Sequence, residues 1–228
     1  MYVEKKQLVA PGEILAEGKY LSGENTHREG QIVYSSRVGV VEIVGDRLGV
    51  IPLKGRYIPH VGDVVVGRIV DIAMSGWIVD IEAPYPALLP ASETFGHRGP
   101  RGRMDLSRTF DVGDLVVSEV LAFDRTRDPL ISAKGPGLGK ITGGKIIELS
   151  PTKVPRLIGR KGSMISLIKK GTGANIIVGQ NGIILVSGRS RDSENAAIHA
   201  IRMIEREAHT HGLTDRIQVM LRTKMRGE

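Results

Sequence analysis

The spacing of apolar residues changes character along the chain. As far as residue 134 they form short Val- and Ile-rich runs broken by Gly, Pro and Asp. Beyond residue 145, stretches of helical period join them. In the first segment, residues 1–58, the runs 32–35, 38–44 and 48–53 read as strands. Gly45-Asp46 supplies a tight turn between the last two, and Pro52 and Pro59 punctuate the end. Two or three strands bury too little to stand alone, so this small β domain is expected to pack on a neighbour or a partner.

Residues 59–134 give five more strand signals, at 64–73, 77–82, 87–92, 115–123 and 130–134. Five short strands in a segment of this length suit a small closed barrel of the OB type. A glycine-rich stretch, 135–144, reads as a linker. Residues 145–212 then alternate strand and helix. Strands are expected at 145–149, 174–178 and 183–187, and helices at 151–158 and 163–170. Ser150 and Pro151 suit the start of the first helix. A longer helix carries Ala197, Ile201, Ile204 and Ala208 at helical spacing, with Ser190 or Asp192 as its cap and Gly212 as its stop. Residues 213–228 read as a basic, partly disordered tail. The fold class is therefore multidomain β and α+β: an N-terminal small β domain, an OB-fold barrel and a C-terminal α/β domain.

Charge sharpens this division. The chain of 228 residues has a net charge of +7. Between Glu148 and Asp192 there is no acidic residue, yet that window holds eight Lys and Arg. The rest of the chain nets −1, so the excess belongs to one region and points to an anionic partner there. There is no cysteine, which excludes disulfides, thiolate catalysis and Cys-ligated zinc. Of six histidines only His209 and His211 are close in sequence, and they read as solvated, so no metal site is expected. No Walker loop, nucleophile–base motif or paired-carboxylate cluster stands out, and neither catalytic residues nor a cofactor are expected. No apolar run approaches the ~18 residues of a membrane span, and residues 1–6 do not read as a signal peptide, so a cytoplasmic protein is expected.

The densest chemistry lies in Gly159-Arg160-Lys161-Gly162, between two expected helices. Glycine lets backbone bend sharply and approach a ligand closely. The helix that follows presents unpaired N–H groups and a partial positive charge. Arg160 and Lys161 add two full charges, and Lys153 and Arg156 precede them. Together these suit a sugar-phosphate backbone. A second basic candidate is the loop of Arg98, Arg101, Arg103 and Arg108, where Gly and Pro carry arginines suited to phosphate.

The run from Leu157 through Gly159, Gly162, Ile165 and Ile168 to Thr172-Gly173-Ala174 resembles the KH domain, whose Gly-x-x-Gly loop clamps single-stranded nucleic acid. Gly62-Asp63, Gly67, Gly76, Ala87-Leu88-Leu89, Ser92, Val112-Gly113-Asp114 and Ile131-Ser132 resemble the S1 motif, an OB-fold RNA-binding domain. Where S1 domains often stack bases on aromatics and a His, this chain aligns Ser75, Ile78 and Pro90. Trp77 is one position away and is expected to pack inside the barrel. Stacking contributes ~1–3 kcal/mol per base where present. Its absence implies binding that is charge-driven, sequence-tolerant and sensitive to salt.

The order of parts, with Pro11-Gly12-Glu13, Gly55-Arg56-Tyr57-Ile58-Pro59 and Gly179-Gln180-Asn181-Gly182, resembles the RNA-binding cap subunits of the archaeal exosome over essentially the full length. That resemblance implies a non-catalytic subunit, three copies of which sit on a hexameric ring of phosphorolytic RNase subunits. The N-terminal segment would dock on the ring. The S1 domains would surround its entrance and pass single-stranded RNA, such as A-rich 3′ ends, for 3′-to-5′ decay. Two other classes remain open at this point: a transcription or translation factor built from S1 and KH domains, and a metal-dependent RNA hydrolase.

Overall fold

The computed structural model describes residues 1–53, 55–94, 106, 109–124, 126–207 and 212–225. The chain divides into two compact units, Met1–Gly55 and Arg56–Glu228.

The first unit contains seven strands: β1 Leu8–Val9, β2 Ile14–Glu17, β3 Leu21–Ser22, β4 Thr26–Glu29, β5 Ile32–Ser35, β6 Gly39–Val44 and β7 Arg47–Pro52. They form one sheet in the order β1-β6-β7-β3 and another in the order β2-β5-β4. Gly45 turns between β6 and β7 with φ of +59°. The expectation of only two or three strands was too low, because β1 to β4 are two to four residues long and show no period. With them the unit closes a core of its own from Val9, Leu15, Ala16, Val33, Val41, Leu48 and Val50.

The second unit begins with a five-stranded barrel: β8 Val64–Ala73, β9 Gly76–Asp80, β10 Ala87–Pro90, β11 Leu115–Asp124 and β12 Arg127–Ser132. The order β12-β10-β9-β8-β11 closes because β11 also pairs with β12. Trp77 is fully buried, donates its indole N–H to the Phe110 carbonyl at 3.1 Å and meets that ring edge-on. It packs and does not stack on bases. Gly76 is required because a Cβ there would lie 2.2 Å from the Leu89 carbonyl oxygen. Tyr57 also enters this core, its hydroxyl donating to Asp63 at 2.7 Å. Burial and the Asp63 carboxylate both push that phenol well above its usual pKa.

Within the glycine-rich stretch, β13 Gly139–Lys140 pairs with β11, and Lys140 forms an ion pair with Asp114. The chain therefore leaves the barrel as a paired strand. It continues into β14 Lys145–Glu148, α1 Val154–Ile158, α2 Ser163–Thr172, β15 Asn175–Val178, β16 Ile183–Ser187, α3 Arg191–Glu207 and α4 Leu213–Met225. The strands form an antiparallel sheet in the order β14-β16-β15. A single core joins the sheet and the helices through Ile147, Leu157, Ile168, Ile176, Ile184 and Ile201. Before α1 the chain makes a 3-10 turn, Pro151–Lys153, and Ser150 does not cap it. Ser190 does cap α3, its hydroxyl accepting the N–H of Ser193 at 3.2 Å.

Residues 213–225 are helical where a disordered tail was expected. Leu213, Ile217 and Leu221 recur every four residues, and all three are buried. Burying such a stripe is ordinary reason enough for a helix to dock. A Cβ on Gly171 would meet Leu221 at 2.8 Å, so the glycine admits α4 to the side of α2.

The loop between β15 and β16, residues 179–182, fastens this domain to the barrel. Asn181 is 3% exposed. Its amide donates to the carbonyls of Val66 at 2.7 Å and Ile81 at 3.0 Å, and its Oδ1 accepts the N–H of Val66 at 3.3 Å. The N–H of Gln180 adds a bond to the Val64 carbonyl at 2.7 Å. A buried amide left without partners would cost about 1–3 kcal/mol per group, so these bonds decide how the two domains sit.

Candidate RNA-binding surface

The loop 159–162 joins α1 to α2. Gly159 adopts φ of +73°, and a Cβ there would lie 2.8 Å from both the nitrogen and the Cβ of Met164. Gly162 is left-handed at φ of +76°, and a Cβ there would meet only Ile165, at 3.9 Å. Lys161 is also left-handed, at φ of +51°. Positive φ on a long side chain is uncommon, and strained backbone of this kind concentrates at functional sites. It turns the lysine outward: Arg160 and Lys161 are both exposed.

The loop also presents the first turn of α2. No side chain caps that helix. The loop carbonyls take part of its start: the N–H of Ser163 goes to the Arg160 carbonyl and that of Gly162 to the Gly159 carbonyl at 3.2 Å, so the two exposed cations carry most of the attraction for an anion. Ile158 and Ile165 flank the loop half-buried, offering apolar surface beside a charged one.

The other candidates fall in different places. Arg156 is exposed in the last turn of α1. Lys153 is half-buried, and its amine donates to the Glu205 carbonyl at 2.7 Å, near the C-terminus of α3. A cation there offsets the negative end of the helix. Its charge is thus committed inside the domain, 52 residues away in sequence. Arg98, Arg101, Arg103 and Arg108 lie outside the described residues. Ser75 is exposed, while Ile78 and Pro90 are half-buried, so no aromatic occupies those barrel positions. Among the described residues no group of His, Asp and Glu is arranged to hold a metal ion, and no helix is long and apolar enough to cross a membrane.

A closed five-stranded barrel fastened to an α/β domain with an exposed Gly-Arg-Lys-Gly loop defines an RNA-binding protein of the S1 and KH type. Family models agree over each part: the Rrp4 S1 domain matches residues 56–122, and the KH domain residues 145–203. The N-terminal domain of the exosome RNA-binding protein Rrp4 matches residues 6–54. The chain is 46% identical to the exosome complex component Rrp4 of Pyrococcus abyssi, covering 99% of this chain and 86% of that one. It is 45% identical to the component of the same name in Thermococcus kodakarensis, over 99% and 89%. A crystal structure assigned to an exosome complex RNA-binding protein superposes with a TM-score of 0.65 at 40% identity, covering 75% of this chain and 98% of that one. The chain belongs to the Rrp4 family of exosome components.

Proposed function

We propose that this chain is the RNA-recruiting cap of an exosome, with no catalysis of its own. Three copies sit on a hexameric ring of phosphorolytic RNase subunits and feed it single-stranded RNA, A-rich 3′ ends among them, for 3′-to-5′ degradation in the cytoplasm. The observation that carries this reading is the 159–162 loop. It combines two exposed cations, a helix start without a side-chain cap and a sharp glycine-flanked turn. Arg160 and Lys161 hold the phosphates. Arg156 lies one turn away. Lys153 acts on them only through the fold it stabilises. Arg98, Arg101, Arg103 and Arg108 form the grip on the barrel side, and neutralising them flattens the salt dependence of binding.

Docking falls to the unit Met1–Gly55. Its four-stranded sheet buries one face and carries an apolar row on the other, beside the exposed Glu42 and Arg47. Leu8, Val40 and Ile51 form one cross-strand row on the outer side, and Val38 and Leu53 extend it. Leu8, Val38, Ile51 and Leu53 are all exposed. An exposed apolar patch of this kind marks a protein interface. The three-stranded sheet instead shows Thr26, His27, Arg28 and Glu29, which fits water.

The test is reconstitution. The purified chain, given a 3′ A-rich oligonucleotide with Mg²⁺ or Mn²⁺, binds it and leaves it intact. Added to a phosphorolytic ring, it co-elutes and speeds decay. Leu8→Asp with Ile51→Asp abolishes co-elution and preserves RNA binding. Degradation by the chain alone, or capture from extract with ribosomes or RNA polymerase and no RNase ring, overturns the proposal.

A further inference from the structure

The far end of α2 gathers a second set of cations. Lys169 and Lys170 lie in its last turn, and Arg189 and Arg191 lie at the start of α3. The two pairs are some twenty residues apart in sequence, and the fold brings them together. The Ser193 hydroxyl donates to the Thr172 carbonyl at 2.6 Å, tying the first turn of α3 to the last residue of α2. The β15–β16 pairing sets Asn175 opposite Ser187, two residues before Arg189. All four basic side chains are exposed.

Two facts separate this patch from an ordinary solvated surface. Cations in the last turn of α2 complement its dipole, but Arg189 and Arg191 stand at the positive end of α3, where a cation is unfavourable. Fold stability alone does not select them. Furthermore, several cations elsewhere are committed to carboxylates: Lys134 pairs with Glu93, Lys140 with Asp114, Lys145 with Glu194 and Arg202 with Glu205. Among the described residues Lys169, Lys170 and Arg189 have no such partner. Arg191 has Glu194 within electrostatic reach. That carboxylate is already held by the Gly188 N–H and the Lys145 amine. In sequence, Asp192 and Glu194 are the only acidic residues between positions 149 and 204, so four cations outweigh two carboxylates.

We propose that Lys169, Lys170, Arg189 and Arg191 form a second phosphate-binding surface for the same single-stranded RNA that the 159–162 loop grips. This rests on the loop being the first grip. α2 has ten residues, so the two surfaces stand ~15 Å apart at ~1.5 Å per residue. About four stacked nucleotides at ~3.4 Å each span that distance. The Gly-x-x-Gly loop itself clamps about four nucleotides, so a 5-mer seated on it leaves too little to reach the patch, and an RNA of ten or more nucleotides engages both.

The experiment compares 5-mer and 12-mer oligoadenylates by fluorescence titration of the full chain over a range of salt. Replacing all four cations with Gln leaves 5-mer affinity unchanged. It weakens 12-mer binding about tenfold or more and lowers the salt slope by up to ~2.8, at ~0.7 per phosphate contact. Unchanged 12-mer affinity and slope overturn the proposal. Lys169→Gln with Arg189→Gln, checked by thermal melting, serves if the fourfold variant does not fold, with about half the effect. Arg160→Asp with Lys161→Asp reports separately on the loop: that variant loses the 5-mer if the loop is the first grip. Retained 5-mer binding removes the loop reading, and the 12-mer result still decides the patch.

Discussion

One domain contains two Gly-x-x-Gly loops with opposite fates. Residues 159–162 face water, and residues 179–182 are pressed against the barrel. Both use glycine for the same reason, which is to bring backbone close to something. At Gly159 the close neighbour is Met164 of the same helix pair, and the middle residues stay outside. At Gly182 a Cβ would lie 2.1 Å from the Leu149 carbonyl oxygen, and the middle residues point into protein. The middle pair decides which. Arg and Lys cannot be buried without partners, so they keep their loop in solvent, where an anion can reach it. Asn can be buried when its amide is satisfied, and Asn181 finds three backbone partners on the barrel. The spacing of the glycines is thus weak evidence for RNA, and the chemistry between them is strong.

The largest way to test this contrast is to damage the buried loop. Asn181→Ala leaves two carbonyls and one N–H without partners and is expected to cost about 2–3 kcal/mol. Gly182→Ala adds a steric clash and positive-φ strain and costs at least ~3 kcal/mol. In urea unfolding, both variants should split one transition into two as the domain detaches from the barrel. A single wild-type-like transition would show that the loop does not hold the two together. Next comes the exposed loop. Arg160→Asp with Lys161→Asp should leave the melting temperature unchanged within a degree or two. It should weaken single-stranded RNA binding by about 2 kcal/mol or ~30-fold, the scale of charge-assisted contacts to phosphate. Lost stability with unchanged affinity would reverse the roles assigned to the two loops.

The smallest effect is one of pH. The Lys140 amine and the Asp111 N–H hold the Asp114 carboxyl below its ordinary pKa. A lowered folded-state value contributes stability that is present above the unfolded value and lost as pH falls through the folded one. The β11–β13 pairing should therefore loosen as pH drops from about 5 to about 2. The contact between residues 179–182 and the barrel contains no ionisable group, so it should not respond. Lys140→Gln should flatten the change, as read by amide exchange at Gly139 and Ile141. A response centred on Gln180 and Val66 instead would place the sensitivity in the loop.

What could be read from sequence follows from range. The barrel strands, the sheet of the last domain and the 159–162 loop rest on local period and spacing, and all appear where expected to within a few residues. The strands β1 to β4 did not, because a two-residue strand has no period and exists only through its partners. The roles of Lys153 and Asn181 were also out of reach, since their partners lie 52 and at least 100 residues away. The grouping of Lys169 with Arg189 depends on how α3 meets α2, which no spacing encodes. Helix α4 is a different case. Leu213, Ile217 and Leu221 give a legible stripe, but a narrow one among charged residues, and basic composition outweighed it.

That helix also constrains the order in which the domain can be made. During synthesis the chain emerges from its N-terminus, and domains generally fold as units. The interior of this domain includes Leu213, Ile217 and Leu221 beside Ile168 and Ile204. Until residue 221 has left the ribosome, apolar surface on α2 and α3 has no cover, although the 159–162 loop is already complete. The barrel, by contrast, has its last strand by residue 132. Nascent chains should therefore hold a finished barrel well before they hold a finished RNA-gripping domain. The interval between the two is when this protein most needs a chaperone.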